Sequence, residues 1–136
     1  MAKILHISKY YYPYYGGIED IAQTIVDKLK PHHTQKVICF NHKNVATTDI
    51  VDGVEVVRVA TIGTLFSQPI FRNYTSTLKK IIDEFRPDYI HLLVCPILLI
   101  RLVIYTILPE DFCKASEISE IYIFSNESKK YTWANP

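Results

Sequence analysis

Ile4-Leu5-His6-Ile7-Ser8-Lys9-Tyr10-Tyr11-Tyr12-Pro13-Tyr14-Tyr15-Gly16-Gly17-Ile18-Glu19-Asp20 is the stretch from which the fold is read. A short aliphatic run ends in a loop with paired glycines, and that loop leads directly into an amphipathic segment. Ile18, Ile21, Ala22, Ile25, Val26 and Leu29 follow the helical spacing i, i+3, i+4, i+7, i+8, i+11 and predict one apolar stripe. Glu19 and Asp20 complement the positive end of that helix, Lys28 and Lys30 its negative end, and Pro31 closes it. A strand passing through a glycine turn into a helix leaves backbone N–H groups facing outward, a setting suited to a phosphate or a sugar hydroxyl. Gly16 and Gly17 are expected to supply positive φ and close approach there.

Working outward, residues 36–40 predict a second strand and the valine-rich segment 54–60 a third. Residues 41–52 are polar and predict a loop that ends in the turn signal Asp52-Gly53. Ser67-x-Pro69 is the expected cap and first turn of a second helix, whose apolar face is Phe71, Tyr74, Leu78, Ile81, Ile82 and Phe85. Arg86-Pro87 stops it, and residues 88–92 predict a fourth strand. Strand, helix, strand, strand, helix, strand points to an α/β fold: a Rossmann-like, mostly parallel sheet flanked by helices. Ligands of such sheets bind beyond the carboxyl ends of the strands, where the glycine loop and the end of the fourth strand would meet.

Residues 92–108 form an apolar run broken by Pro96 and Arg101, too short and too charged for a membrane span, so a buried strand and a core helix are expected. Tyr122-Ile123-Phe124 is a candidate strand, and residues 125–136 read as frayed. The expected organisation is a core over residues 1–92 with a divergent tail, 93–136, completing or fraying the same domain. The chain has 136 residues, 49% of them hydrophobic, and a net charge of +1, which gives no basic stripe for nucleic acid. Lys28, Lys30, Lys36 and His32-His33 are expected to cluster, either as a solvated helix end or as a contact with an anionic membrane. Cys39, Cys95 and Cys113 have no metal-ligand spacing, and no metal or cofactor is expected. Cys39 and Cys95 read as small buried hydrophobes. With no signal-peptide pattern before Ile4, a cytoplasmic location is expected.

Residues 4–92, about two thirds of the chain, resemble the N-terminal domain of the family-4 glycosyltransferases, retaining enzymes of the two-domain GT-B architecture. The resemblance rests on Ile4-Leu5-His6-Ile7, Tyr12-Pro13-x-x-Gly16-Gly17-Ile18-Glu19, Asp52-Gly53-Val54-Glu55-Val56-Val57-Arg58-Val59, and Arg86-Pro87-Asp88-Tyr89-Ile90-His91-Leu92. It implies transfer from a nucleotide-sugar donor to a saccharide or lipid-linked acceptor, with a peripheral contact at the inner face of the membrane. It places Gly16 and Gly17 near the donor diphosphate and sugar, and Glu19 at the acceptor or as an organiser of the loop. His91 and Tyr15 join them as candidate binding residues, with a satisfied strand histidine as the alternative reading of His91, and the tyrosines at 10, 11, 12, 14 and 15 as a wall for sugar stacking. Packing is the alternative reading for Tyr10 and Tyr12.

Two departures limit that expectation. The family ends its fourth strand in His-x-His, whereas here the second position is Leu93, which has no nitrogen to polarise a hydroxyl. The C-terminal half with its Glu-x7-Glu pair has no counterpart, so a missing domain or partner subunit is expected and the chain should be inactive alone. Where the family continues Pro-Asn-Pro, this chain has Val94-Cys95-Pro96-Ile97-Leu98. Codons for that segment, read one base earlier, can give Met-Pro-Asn-Pro, so a shifted reading frame from about Leu93 is one reading of the tail. A non-catalytic sugar- or nucleotide-binding module acting with a separate subunit is the alternative function.

Overall fold

The structure, a computed structural model, describes residues 1–65, 68–93, 120–124 and 130–133. It is an α/β fold in which a mixed sheet carries two helices. The chain runs through β1 (Lys3–Ser8), α1 (Gly17–Leu29), β2 (Thr34–Phe40), β3 (Thr47–Val51), β4 (Val54–Val59), β5 (Thr61–Leu65) and β6 (Gln68–Phe71). It continues through α2 (Tyr74–Phe85), β7 (Tyr89–Leu93), β8 (Glu120–Phe124) and β9 (Lys130–Trp133). The main sheet has the order β3-β4-β2-β1-β7-β8-β9, and β5 and β6 form a separate hairpin. Pairings β4–β2, β2–β1, β1–β7 and β7–β8 are parallel, whereas β3–β4 and β8–β9 are antiparallel.

Alternation along the strands sends successive side chains to opposite faces. Leu5, Ile7, Ile38, Phe40, Val59, Ile90 and Leu92 pack against Tyr74, Leu78 and Ile81 of α2. Val37, Cys39, Val54, Val56 and Leu93 pack against Ala22 and Val26 of α1. The helices therefore cover opposite faces. Ile18 and Ile25 lie partly buried on the α1 side, but Ile21 is 53% exposed, so the stripe of α1 is narrower than its spacing predicts.

The segment 41–52 is not all loop. Residues 47–51 form β3, because a two-residue turn at Asp52 and Gly53, both with positive φ (49° and 82°), folds them back antiparallel on β4. The turn was legible; the strand before it, interrupted by Asp49 and preceded by polar residues, was not. Helix α2 also begins later than predicted. Pro69 lies in β6 opposite Thr64, and the helix starts at Tyr74 after a left-handed Asn73, while Ser67 falls outside the described residues. Phe71 still joins the α2-side core, but from a strand, stacked on Phe40 at 5.1 Å. Helix α2 ends at a left-handed Arg86 whose N–H donates to the Ile82 carbonyl, and Pro87 prevents continuation. Residues 130–133 pair with β8 instead of fraying. The strand and helix expected over residues 92–108 lie, beyond Leu93, outside the described residues, as do Cys95 and Cys113.

Candidate functional site at the carboxyl edge of the sheet

Strands β1, β2, β4 and β7 run parallel, so their carboxyl ends share one edge. There β1 passes into the tyrosine loop and β2 into the segment starting at Asn41. Ser8 is the register partner of Leu93, so the start of the loop lies beside the end of β7. Tyr11 and Leu93 share a core cluster, with Tyr11 2% and Leu93 3% exposed. Leu93, at the end of β7, is thus a buried leucine packed in the same cluster as the loop's Tyr11.

The glycines differ from expectation. Gly16 is extended (φ −179°), and Gly53 is the one glycine with positive φ among the described residues. Gly16 is instead the N-cap of α1, and the Glu19 carboxylate folds back over it: a Cβ at Gly16 would collide with Oε2 of Glu19. Gly17, the first residue of α1, faces open space, with no atom within 4 Å of where a Cβ would stand. A valine at Gly17 would therefore meet no forbidden dihedral; it would only narrow the approach. A negative charge over Gly16 opposes an incoming diphosphate and favours a hydroxyl donor at this helix end.

The tyrosines divide into three groups. Tyr11 is core. Tyr10 and Tyr14 contact the His42 ring, with centroids at 4.0 and 3.7 Å. Tyr12 and Tyr15 remain at the surface, 37% and 76% exposed, edge to face at 6.0 Å. His42 was not legible as a site residue. It is presented by a turn that Asn41 braces, its Nδ2 donating to the Val45 carbonyl and its Oδ1 accepting from the Lys43 N–H. The available signal was its place just after a strand next to β1. Burial lowers the His42 pKa, as does Lys9, while Glu19 opposes the shift, so these charges share one neighbourhood. Lys9 also sits 5.3 Å from the Tyr10 ring centroid.

Arg58 of β4, 5% exposed, reaches this loop from below. Its Nη2 donates to the Tyr12 carbonyl and its Nη1 to the Tyr11 carbonyl at 3.5 Å, passing Cys39 Sγ at 3.7 Å. Its Nε donates to Asp49 of β3 at 3.0 Å. Burial pushes the Cys39 thiol up to about 12, so it stays protonated and unreactive at neutral pH.

His91 is not at the rim. It is 6% exposed on the α1 face of β7, and its Nδ1 lies 3.0 Å from Nδ1 of His6, its register partner on β1. His6 Nε2 lies 2.8 Å from Gln35 Oε1, and Gln35 Nε2 donates to the Val26 carbonyl at 2.9 Å. The amide direction fixes the protons: His6 Nε2–H donates to Gln35, so His6 Nδ1 accepts, and His91 Nδ1–H donates to it. Both rings are neutral. Burial lowers the His6 pKa to about 4, with Gln35 opposing, and burial and then His6 lower that of His91 to about 3. The remainder of the Pro-Asp-x-x-His pattern serves the opposite edge, where Asp88 accepts from the Lys3 N–H at 2.8 Å.

Lys36 stands apart from the expected basic cluster. Lys36 pairs with Glu55 at 3.2 Å and lies over Phe85 of α2, across the sheet from α1. Among the described residues no helix is long and apolar enough to cross a membrane, and no group of three His, Cys, Asp or Glu could hold a metal ion. Compared with protein-family models, curated proteins and solved structures, the chain gives no match.

Proposed function

We propose that this chain is the acceptor-side, N-terminal half of a two-domain retaining glycosyltransferase, its sheet being one Rossmann-like half of a GT-B pair. In this reading it binds a saccharide or lipid-linked acceptor at the cytoplasmic face of the membrane. The nucleotide-sugar donor is held by a second half supplied by further chain or by a partner subunit. The observation that carries the reading is the convergence at one sheet edge of segments about 85 residues apart in sequence, with Ser8 in register with Leu93 and the loop after Ser8 leading to the Gly16-Gly17 helix end. Exposed Tyr15 offers a stacking face, Gly17 an approachable backbone, and Glu19 an acceptor for sugar hydroxyls. Glu19 over Gly16 supports a neutral acceptor here in preference to the diphosphate. Tyr10 and Tyr14, spent on His42, organise the loop.

Two-domain transfer needs both halves to hold donor against acceptor and exclude water, so the chain alone should not turn over. The buried Leu93 favours a second reading, a sugar-binding module without chemistry of its own, beside a subunit that carries Glu-x7-Glu. Amide shifts recorded during titration with neutral oligosaccharides and with nucleoside diphosphates test the proposal. Saccharides should move Tyr15, Gly17 and Glu19, and nucleoside diphosphates should move them less. Silence of those amides to every saccharide, or sugar transfer by the isolated chain, would overturn it.

A further inference from the structure

We propose that Arg58 is a positioning residue that holds the tyrosine loop in its ligand-ready form, with Asp49 fixing the orientation of its fork. A guanidinium taken out of water needs its donors met, and this one carries two of them outside its own strand ladder. Nη1 and Nη2 go to two consecutive carbonyls, Tyr11 and Tyr12, in a loop 46 residues or more away in sequence. A planar fork is suited to such a pair; a lysine ammonium, with its point-like charge, is not. Asp49 takes Nε, and that carboxylate is half exposed on edge strand β3, so its contribution is to direct Arg58 more than to fill space. Beyond the clamped carbonyls the chain reaches Tyr15, Gly16 and Gly17, the groups that face a ligand in the proposed function. The clamp stands on geometry alone; only the identity of the ligand rests on that function.

The test compares chymotryptic cleavage after Tyr14 and Tyr15 in the full chain carrying Arg58→Met, Arg58→Lys or Asp49→Asn. Leu78→Ala, on the other face of the sheet, controls for general loss of stability. Cleavage is read by mass at equal intervals below each variant's thermal midpoint. Arg58→Met should be cut at least tenfold faster than the control, Asp49→Asn by an intermediate factor, and Arg58→Lys should not restore protection. Cleavage of Arg58→Met at the rate of the control would overturn the clamp, as would full protection in Arg58→Lys. Should Arg58→Met not fold, Asp49→Asn and Arg58→Lys decide by the same comparison. Oligosaccharide titration of the same proteins separates the two proposals. A wild-type chain that binds no saccharide while Arg58→Met is still cut faster removes the proposed function and leaves the clamp. Saccharide binding with no difference in cleavage does the reverse.

Discussion

The two faces of the same sheet are built on different terms. Towards α2, the strands present Leu5, Ile7, Ile38, Phe40, Val59, Ile90 and Leu92, all 3% exposed or less. Towards α1, the same strands present His6, Gln35, Arg58 and His91 among Val37, Cys39, Val54 and Val56. The first face is held by area: each aliphatic side chain taken from water stabilises by about 1.5–3 kcal/mol, with no demand on direction. The second is held by direction, because each buried polar group must find its partner or destabilise. The loop that faces the candidate site is anchored to the directional face. A chain can combine a tolerant half of its core with an exacting half, and here the exacting half adjoins the site.

Four measurements sharpen or break this contrast. Phe40→Ala, deep in the apolar face, should cost about 3–5 kcal/mol in denaturant unfolding, by the same amount at pH 7 and pH 5. A cost that varies with pH would mean the two faces are not independent. Acid should act through the other face. His6 and His91 are held neutral, with pKa values lowered from 6.5 to about 4 and about 3, so the unfolded chain binds the extra protons. Their neutral, bonded state supports folding fully above about pH 6.5, and that support drains away as pH falls towards 4. Between pH 7 and pH 5 the loss should be about 2 kcal/mol per imidazole, and His91→Leu should remove roughly half of that slope while costing some stability at pH 7. An unfolding free energy flat across this interval would count against the neutral pair.

Gln35→Leu strands the His6 Nε2–H, while the Val26 carbonyl keeps the Lys30 N–H, and should lower stability by about 1–3 kcal/mol at pH 7. Circular dichroism melts against wild type would show it. The smallest effect runs the other way. The Tyr74 hydroxyl is buried on the α2 side with no hydrogen-bond partner among the described residues. Tyr74→Phe should therefore be neutral or stabilising by up to about 1 kcal/mol, and a destabilisation larger than that would reveal a bond to this hydroxyl.

Apolar spacing and turn chemistry made much of the fold legible. The β1–α1 unit, the Asp52-Gly53 turn, the stop at Arg86-Pro87 and β7 all follow from local rules. Elsewhere the local signal is mixed or the partners are remote. β3 is folded back on β4 by the two-residue turn; Thr47, Thr48, Ile50 and Val51 suit a strand, but Asp49 among them and the polar residues 41–44 before them mask that signal. Ser67-x-Pro69 looked like a helix start because proline suits a first turn, yet Pro69 sits in an edge hairpin, the other place a missing N–H is tolerated. For the site, the glycine loop and its Glu19 could be found from spacing. Arg58, Asp49 and His42 could not, since Asp49 matters only through Arg58, and Arg58 and His42 matter through contacts with a tyrosine loop that is remote in sequence. His91 shows the two readings of one motif histidine parting: its place at a strand end suggests a ligand, but strand alternation turns it inward towards His6, as the strand-histidine reading has it.

The tight reversal between β3 and β4 reaches further than its two residues suggest. It pairs Val51 with Val54 and so sets Asp49 opposite Val56, on the side where Arg58 points. One extra residue in that reversal would shift the count by one and swing Asp49 to the far side of the ribbon. The guanidinium would then lose its guide, and a bend on the rim of the molecule would set the order of tyrosines it never touches.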